Sequence, residues 1–146
     1  MEQIEIQNGT NYQMIVDNFI RNICDDNHVY NYYATISVPV LQAVDSVMSH
    51  SSNHKATLSF RHCREGLSFS LQCELADFSS QSSNNDDIFL FAEALADKVC
   101  VSDNGHSLQM IFAIRGIDAT EAARRVSVLE QFSVHSPTPS LVNTLA

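Results

Sequence analysis

Glycine is scarce in this chain, with only 4 in 146 residues. No phosphate loop of the GxxxxGK type can be built from them, and no GxSxG elbow marks a serine hydrolase. Basic residues are few as well: 8 Lys and Arg stand against 17 Asp and Glu, for a net charge of -9. Binding to nucleic-acid phosphates leans on clustered cations, so a nucleic-acid partner is not expected. No run approaches the roughly 20 apolar residues that a membrane helix needs, so no membrane association is expected. The first residues, MEQIEIQNGT, are acidic and polar and do not resemble a secretory signal, so the expected location is cytoplasmic. Cys24, Cys63, Cys73 and Cys100 are far apart and form no CxxC pair. They fit neither a disulfide scaffold nor a zinc ribbon, and are expected to be reduced and mostly buried.

What is present is enough apolar material, 45% of residues, for a single packed core. The expectation is one domain over residues 1–134 and a flexible tail over 135–146, where HSPTPSLVNTLA has two prolines and no periodicity. Ile4 and Ile6 alternate with polar neighbours, as in a short strand. Tyr12, Ile15, Val16, Phe19, Ile20 and Ile23 fall at helical spacing, predicting a helix that ends near Asp25-Asp26-Asn27. Residues 28–35 form a tyrosine-rich connector, either extended or briefly helical. Ser37 is the expected N-cap of a second helix, with Pro39 in its first turn and Val40, Leu41, Val44, Val47 and Met48 as its buried stripe.

Two alternating runs, Ala56–Phe60 and Leu67–Leu75, flank Arg64-Glu65-Gly66 and predict a hairpin with one buried face. The polar run SSQSSNNDD at 79–87 cannot contribute to a core and is expected to be a loop. Ile88, Phe91, Ala92, Leu95 and Val99 suggest a third helix, although Val99–Val101 can also begin a strand. Asp103-Asn104-Gly105 signals a turn. Leu108, Met110, Phe112 and Ile114 alternate as a strand, and Ile111 and Ala113 suggest that its other face is covered too. Asp118 can cap a last helix carrying a Glu121–Arg125 pair. The fold class expected is therefore α+β: a two-layer sandwich with a mostly antiparallel (mixed) sheet and helices on one face.

This element order, with the phrase EALADKV near the end of the third helix, resembles the histidine-kinase-like (GHKL) ATPase domain. The single-domain anti-sigma factor and serine-kinase branch is the most similar in size, and the resemblance spans about residues 11–116. The family's second helix carries a pattern like ExxxNxxxH, in which the Glu activates water and the Asn ligates magnesium. With His50 on the family's His, LQAVDSVMSH puts Gln42 at the Glu position and Ser46 at the Asn position. Asp45 lies about 100° around the helix from Ser46 and is a less direct magnesium ligand. The DxGxGF motif is matched by CELADF: Cys73 stands for the adenine-binding Asp, Leu75 and Asp77 for the glycines, and Phe78 keeps the aromatic. Asp86 and Ile88 stand where the next loop has GxG. Gly105-His106-Ser107 matches the last GT-rich motif loosely, placing Gly105 and Ser107 at the degenerate ATP site.

Each departure removes a donor, an acceptor or a glycine that ATP would use. The resemblance thus implies a degenerate member that acts as a protein-interaction module of the anti-sigma type. Its partner would be a sigma factor or a small antagonist protein, and a homodimer is implied through the helical face. ATP and magnesium are expected only if the site survives, in which case Gln42 positions water and Ser46 or Asp45 touches the metal. The activity would then be that of a protein-serine kinase or a weak ATPase. Two other readings stay open. The same residues can be ordinary polar and core positions of an unrelated α+β domain that binds a small apolar ligand. His50, His54 and the His62-Cys63 pair gather in sequence but read as solvated polar residues rather than a zinc site. No cysteine is marked locally as an activated nucleophile.

Overall fold

The computed structural model describes residues 2–7, 9–49, 55–74, 78, 90–114 and 124–131. The described strands form one five-stranded sheet in the order β1-β2-β3-β5-β4, with every pairing antiparallel. The strands are β1 (Glu2–Gln7), β2 (Lys55–His62), β3 (Gly66–Gln72), β4 (Lys98–Ser102) and β5 (Ser107–Ala113). The helices are α1 (Tyr12–Asp26), α2 (Tyr33–Ser49), α3 (Leu90–Leu95) and α4 (124–131). The expected α+β class is met, with a sheet that is wholly antiparallel rather than mixed among the described strands.

Side-chain alternation sorts the sheet into two faces. Ile4 and Ile6 share a face with Leu58 and Ala56. Leu58 and Phe60 pair with Leu71 and Phe69, which pair in turn with Leu108 and Met110. These residues and the inner sides of α1 and α2 form a single buried cluster that includes Val16, Ile20, Ile36, Val44 and Val47. Phe69 is its aromatic centre, with its ring centroid 5.2 Å from Phe60 and 6.0 Å from Phe112. The other face of β2, β3 and β5 carries Thr57, Ser59, Ser70, Gln72 and Gln109. Ile111 is buried there, but beside Ser68 and Lys98, so the second face of β5 is largely polar rather than a second apolar layer.

Both tight hairpins form where turn chemistry predicts. Cys63 and Gly66 exchange backbone hydrogen bonds of 2.9 and 3.2 Å around Arg64-Glu65. Asn104 and Gly105 adopt φ values of 55° and 92°, the left-handed region that Asn and Gly tolerate, and join β4 to β5.

Two boundaries differ from expectation. The second helix begins at Tyr33, so Ser37 and Pro39 lie inside it. Residues Tyr33 to Val40 are all buried, and packing on every side overrides the local stop signal of the proline. Of the two forms open to the connector, the briefly helical one occurs, as a 3-10 turn over Tyr30–Tyr32 that leads into α2. Val99 belongs to β4 and not to the third helix, which ends at Leu95. The Asp118 cap, Glu121, the 79–87 loop and the 135–146 tail lie outside the described residues. No helix among the described residues is long and apolar enough to cross a membrane.

Candidate functional site

Helix α2 packs between α1 and α3 and rests on β3. Its C-terminal half carries Gln42, Asp45 and Ser46, all half-buried. The amide oxygen of Gln42 accepts a hydrogen bond from the backbone N–H of Phe91, at 3.3 Å, in the first turn of α3. An N–H in the first turn of a helix lies ahead of the helix's own hydrogen-bond ladder, and Gln42 accepts from it across the α2–α3 contact. Asp45 Oδ1 accepts two hydrogen bonds from the first turn of α1, one from the Tyr12 hydroxyl and one from Gln13 Nε2, each 3.0 Å. Partial burial raises the Tyr12 pKa above its ordinary value, and the Asp45 carboxylate adds to the rise. Ser46 contributes its main-chain carbonyl to the Ser49 hydroxyl at 3.0 Å.

At the far side of β3, the chain positions behave as one unit. Cys73 is buried directly after the strand, and its N–H donates to the carbonyl of His106 at 2.9 Å. Gln72 pairs with Ser107, which is itself buried. The fold therefore brings Cys73, Gly105 and Ser107 together at one end of the sheet. Phe78 is fully buried and shares the main apolar cluster with Cys73 and Met48. His50, Leu75, Asp77, Asp86 and Ile88 lie outside the described residues.

What this arrangement can do is hold elements together. Gln42 ties α2 to α3, Asp45 ties α2 to α1, and Cys73 ties β3 to the β4–β5 turn. The described polar groups at the glutamate and neighbouring positions of α2 are engaged within the chain. Gln42 cannot take a proton from water at neutral pH, so general-base chemistry is not available from it.

Two polar clusters escaped the sequence reading. Asp97, within the EALADKV phrase, accepts from the Ala113 N–H at 2.6 Å through Oδ2 and from Arg125 Nη2 at 2.6 Å through Oδ1. Its own N–H donates to the Ile111 carbonyl at 2.8 Å. Arg125 is thus bound across the molecule to Asp97 in this structure, a pairing that helical spacing cannot reveal. The second cluster sits where α1 meets α2. Arg21 pairs with Asp17 at 2.7 Å, bonds the Tyr30 hydroxyl at 2.7 Å and lies 4.4 Å above the Tyr33 ring, while the Tyr33 hydroxyl also reaches Asp17. Only the i,i+4 spacing of Asp17 and Arg21 was readable in advance.

The cysteines are all free, but only Cys24 and Cys73 are buried; Cys63 is half-buried and Cys100 exposed. Burial pushes the Cys24 thiol up to about 11. His62, in the stretch weighed as a zinc site, bonds the Asn27 side chain and sits edge-on to Phe60. Among the described residues, no group of three or more His, Cys, Asp or Glu converges as a metal site. No family model matches the chain, and no curated protein matches it significantly.

Proposed function

We propose that this chain is a protein-interaction module on a histidine-kinase-like ATPase scaffold whose nucleotide site has weakened or been lost. One observation carries the reading: Gln42, at the position where that family has its water-activating Glu, spends its side-chain carbonyl on the Phe91 amide. A side chain that clamps α3 in this way serves packing rather than phosphate chemistry. The Asp45 contacts with Tyr12 and Gln13 support the same reading, because they draw the neighbouring carboxylate toward α1. The element order, with α2 between β3 and two flanking helices, is compatible with that scaffold.

In this reading the module works by sequestering a protein partner, as anti-sigma factors do with sigma factors or small antagonist proteins. It is a pseudoenzyme of a bacterial, cytoplasmic kind, and its regulatory action involves no bond-making step. Calorimetric titration of the purified chain with ATP and magnesium tests it. The expected trace is flat at micromolar nucleotide. A magnesium-dependent isotherm in the micromolar range would overturn the proposal.

A second reading is a divergent ATP-binding protein with weak ATPase or serine-kinase activity. The convergence of Cys73, Gly105 and Ser107 at one sheet end favours it, because a backbone cradle needs few specific side chains. Under that reading a Gln42→Ala variant loses any measured turnover, and unchanged turnover removes Gln42 from the mechanism.

A further inference from the structure

Among the described strands the sheet ends in two edges, and they differ. On the β1 side the edge strand carries Glu2 and Glu5. In a chain of net charge -9, a second strand of the same kind would bring carboxylates together there. Strand β4 forms the other edge among the described strands, with β5 as its neighbour. Its sequence, KVCVS, has no carboxylate and one cation, Lys98. Lys98, Cys100, Val101 and Ser102 are exposed, and Val99 is half-buried.

Val99 and Val101 pair with Met110 and Leu108, so they lie on the core face of the sheet. The core face is thus left partly open at this edge, where Val101 keeps 37% of its surface exposed. An edge strand that is short of charge and shows apolar side chains is a template for another strand.

The pattern of β4 is also self-complementary. An antiparallel copy centred on Cys100 sets Lys98 opposite Ser102 of the second copy, and Val99 opposite Val101 of the second copy. Residues directly opposite share a face, so the two valine pairs extend the apolar face across the junction. The lysines and serines meet on the polar face without opposed like charges. A two-fold axis through Cys100 satisfies both strands at once, as an isologous contact requires.

We propose that β4 is an interaction surface whose occupant is β4 of a second copy of this chain, giving a continuous ten-stranded antiparallel sheet. This surface is distinct from the helical-face dimer implied by the family resemblance, and the inference does not depend on the proposed function. A five-residue strand contributes little area against the roughly 1,000 Å² expected of a firm interface, so the dimer is weak and reversible.

Light scattering coupled to size exclusion tests this on the full chain at high micromolar concentration. It is joined by a short bis-maleimide cross-linker applied to a Cys63→Ser variant, in which Cys100 is the exposed thiol. The expected result is a concentration-dependent dimer with Cys100–Cys100 linkage mapped by mass spectrometry. Val101→Lys places a charge at each valine pair and is expected to give monomer and to abolish the cross-link. A circular dichroism melt of this variant, substituted at an exposed position, separates loss of pairing from loss of fold. If Val101→Lys proves unfolded, Ser102→Pro at the strand end provides the same disruption. A monomer at every concentration would refute the proposal, as would a dimer that folded Val101→Lys or Ser102→Pro leaves intact or that gives no Cys100 linkage.

Discussion

At Gly66 the backbone has a φ of 154°, and a Cβ there would lie 2.2 Å from the Phe112 carbonyl oxygen. Both atoms belong to paired strands, so neither can move without disturbing the β3–β5 ladder. Gly66→Ala is expected to destabilise the protein by about 2 kcal/mol or more, read as a fall of several degrees in the thermal midpoint. A midpoint within a degree of wild type would show that the strands give way easily. Cys24 makes a prediction of a different kind. Its thiol ionises near the ordinary value of 9.0 when the chain is unfolded but at about 11 when buried. The folded state therefore holds a proton that the unfolded state releases, and stability falls as pH rises from about 9 to about 11. Tyr12, whose pKa is also raised, adds to the loss above about 10. Denaturant unfolding across this range should show the decline, and Cys24→Ala should make it shallower. An equal slope in the variant would assign the decline to other groups. On the acid side, Glu65 has its pKa lowered first by its own backbone N–H, then by Cys63 and Lys98. Its small contribution is present above the ordinary carboxyl value and fades as pH drops through the lowered one.

Elements were legible to the extent that their signals were periodic. Alternation in ATLSF and LSFSL marked the central hairpin, and its Arg64-Glu65 turn formed as expected. The start of α2 was missed because a proline is read as a helix opening, whereas here eight consecutive buried residues hold the helix on both sides of it. Site positions were legible only as positions. Sequence spacing put Gln42 and Asp45 on neighbouring turns, but which group each one bonds depends on α1 and α3, dozens of residues away. Asp97 illustrates the same limit. It gathers the start of β4, the end of β5 and α4 through three hydrogen bonds. Arg125 is only 4% exposed, so removing the Asp97 carboxylate takes a charged partner from a cation with poor access to water. Asp97→Ala is expected to cost about 2 kcal/mol, below the fully buried case because the Asp97 side chain retains 28% exposure. Chemical denaturation would read this directly, and a change under about 0.5 kcal/mol would mean that the clamp is redundant.

Across the whole molecule, charge and topology act separately. Helices α1, α2 and α3 carry Asp17, Asp25, Asp26, Asp45 and Glu93 against one cation, Arg21, while Lys55, Arg61 and Lys98 lie on the strands. Helices α1 to α3 are therefore net acidic, five carboxylates against one cation, and a partner docking on them meets a negative surface. The sheet order has a consequence for how the chain reaches this state. Adjacent pairings such as His62 with Leu67, and Ser102 with Ser107, close loops of a few residues. Ile6 must instead find Ala56, and Leu67 must find Phe112, across about fifty and forty-five positions. Loop-closure entropy makes the short pairings cheap and the long ones slow. The two hairpins should thus acquire amide protection first, join along β3 and β5 next, and receive the N-terminal strand last. Pulse-labelled hydrogen exchange during refolding would see β1 amides protected after those of β2 and β3. A nascent chain emerging from a ribosome meets the opposite order: its first strand waits, unpaired, until more than fifty further residues have been made.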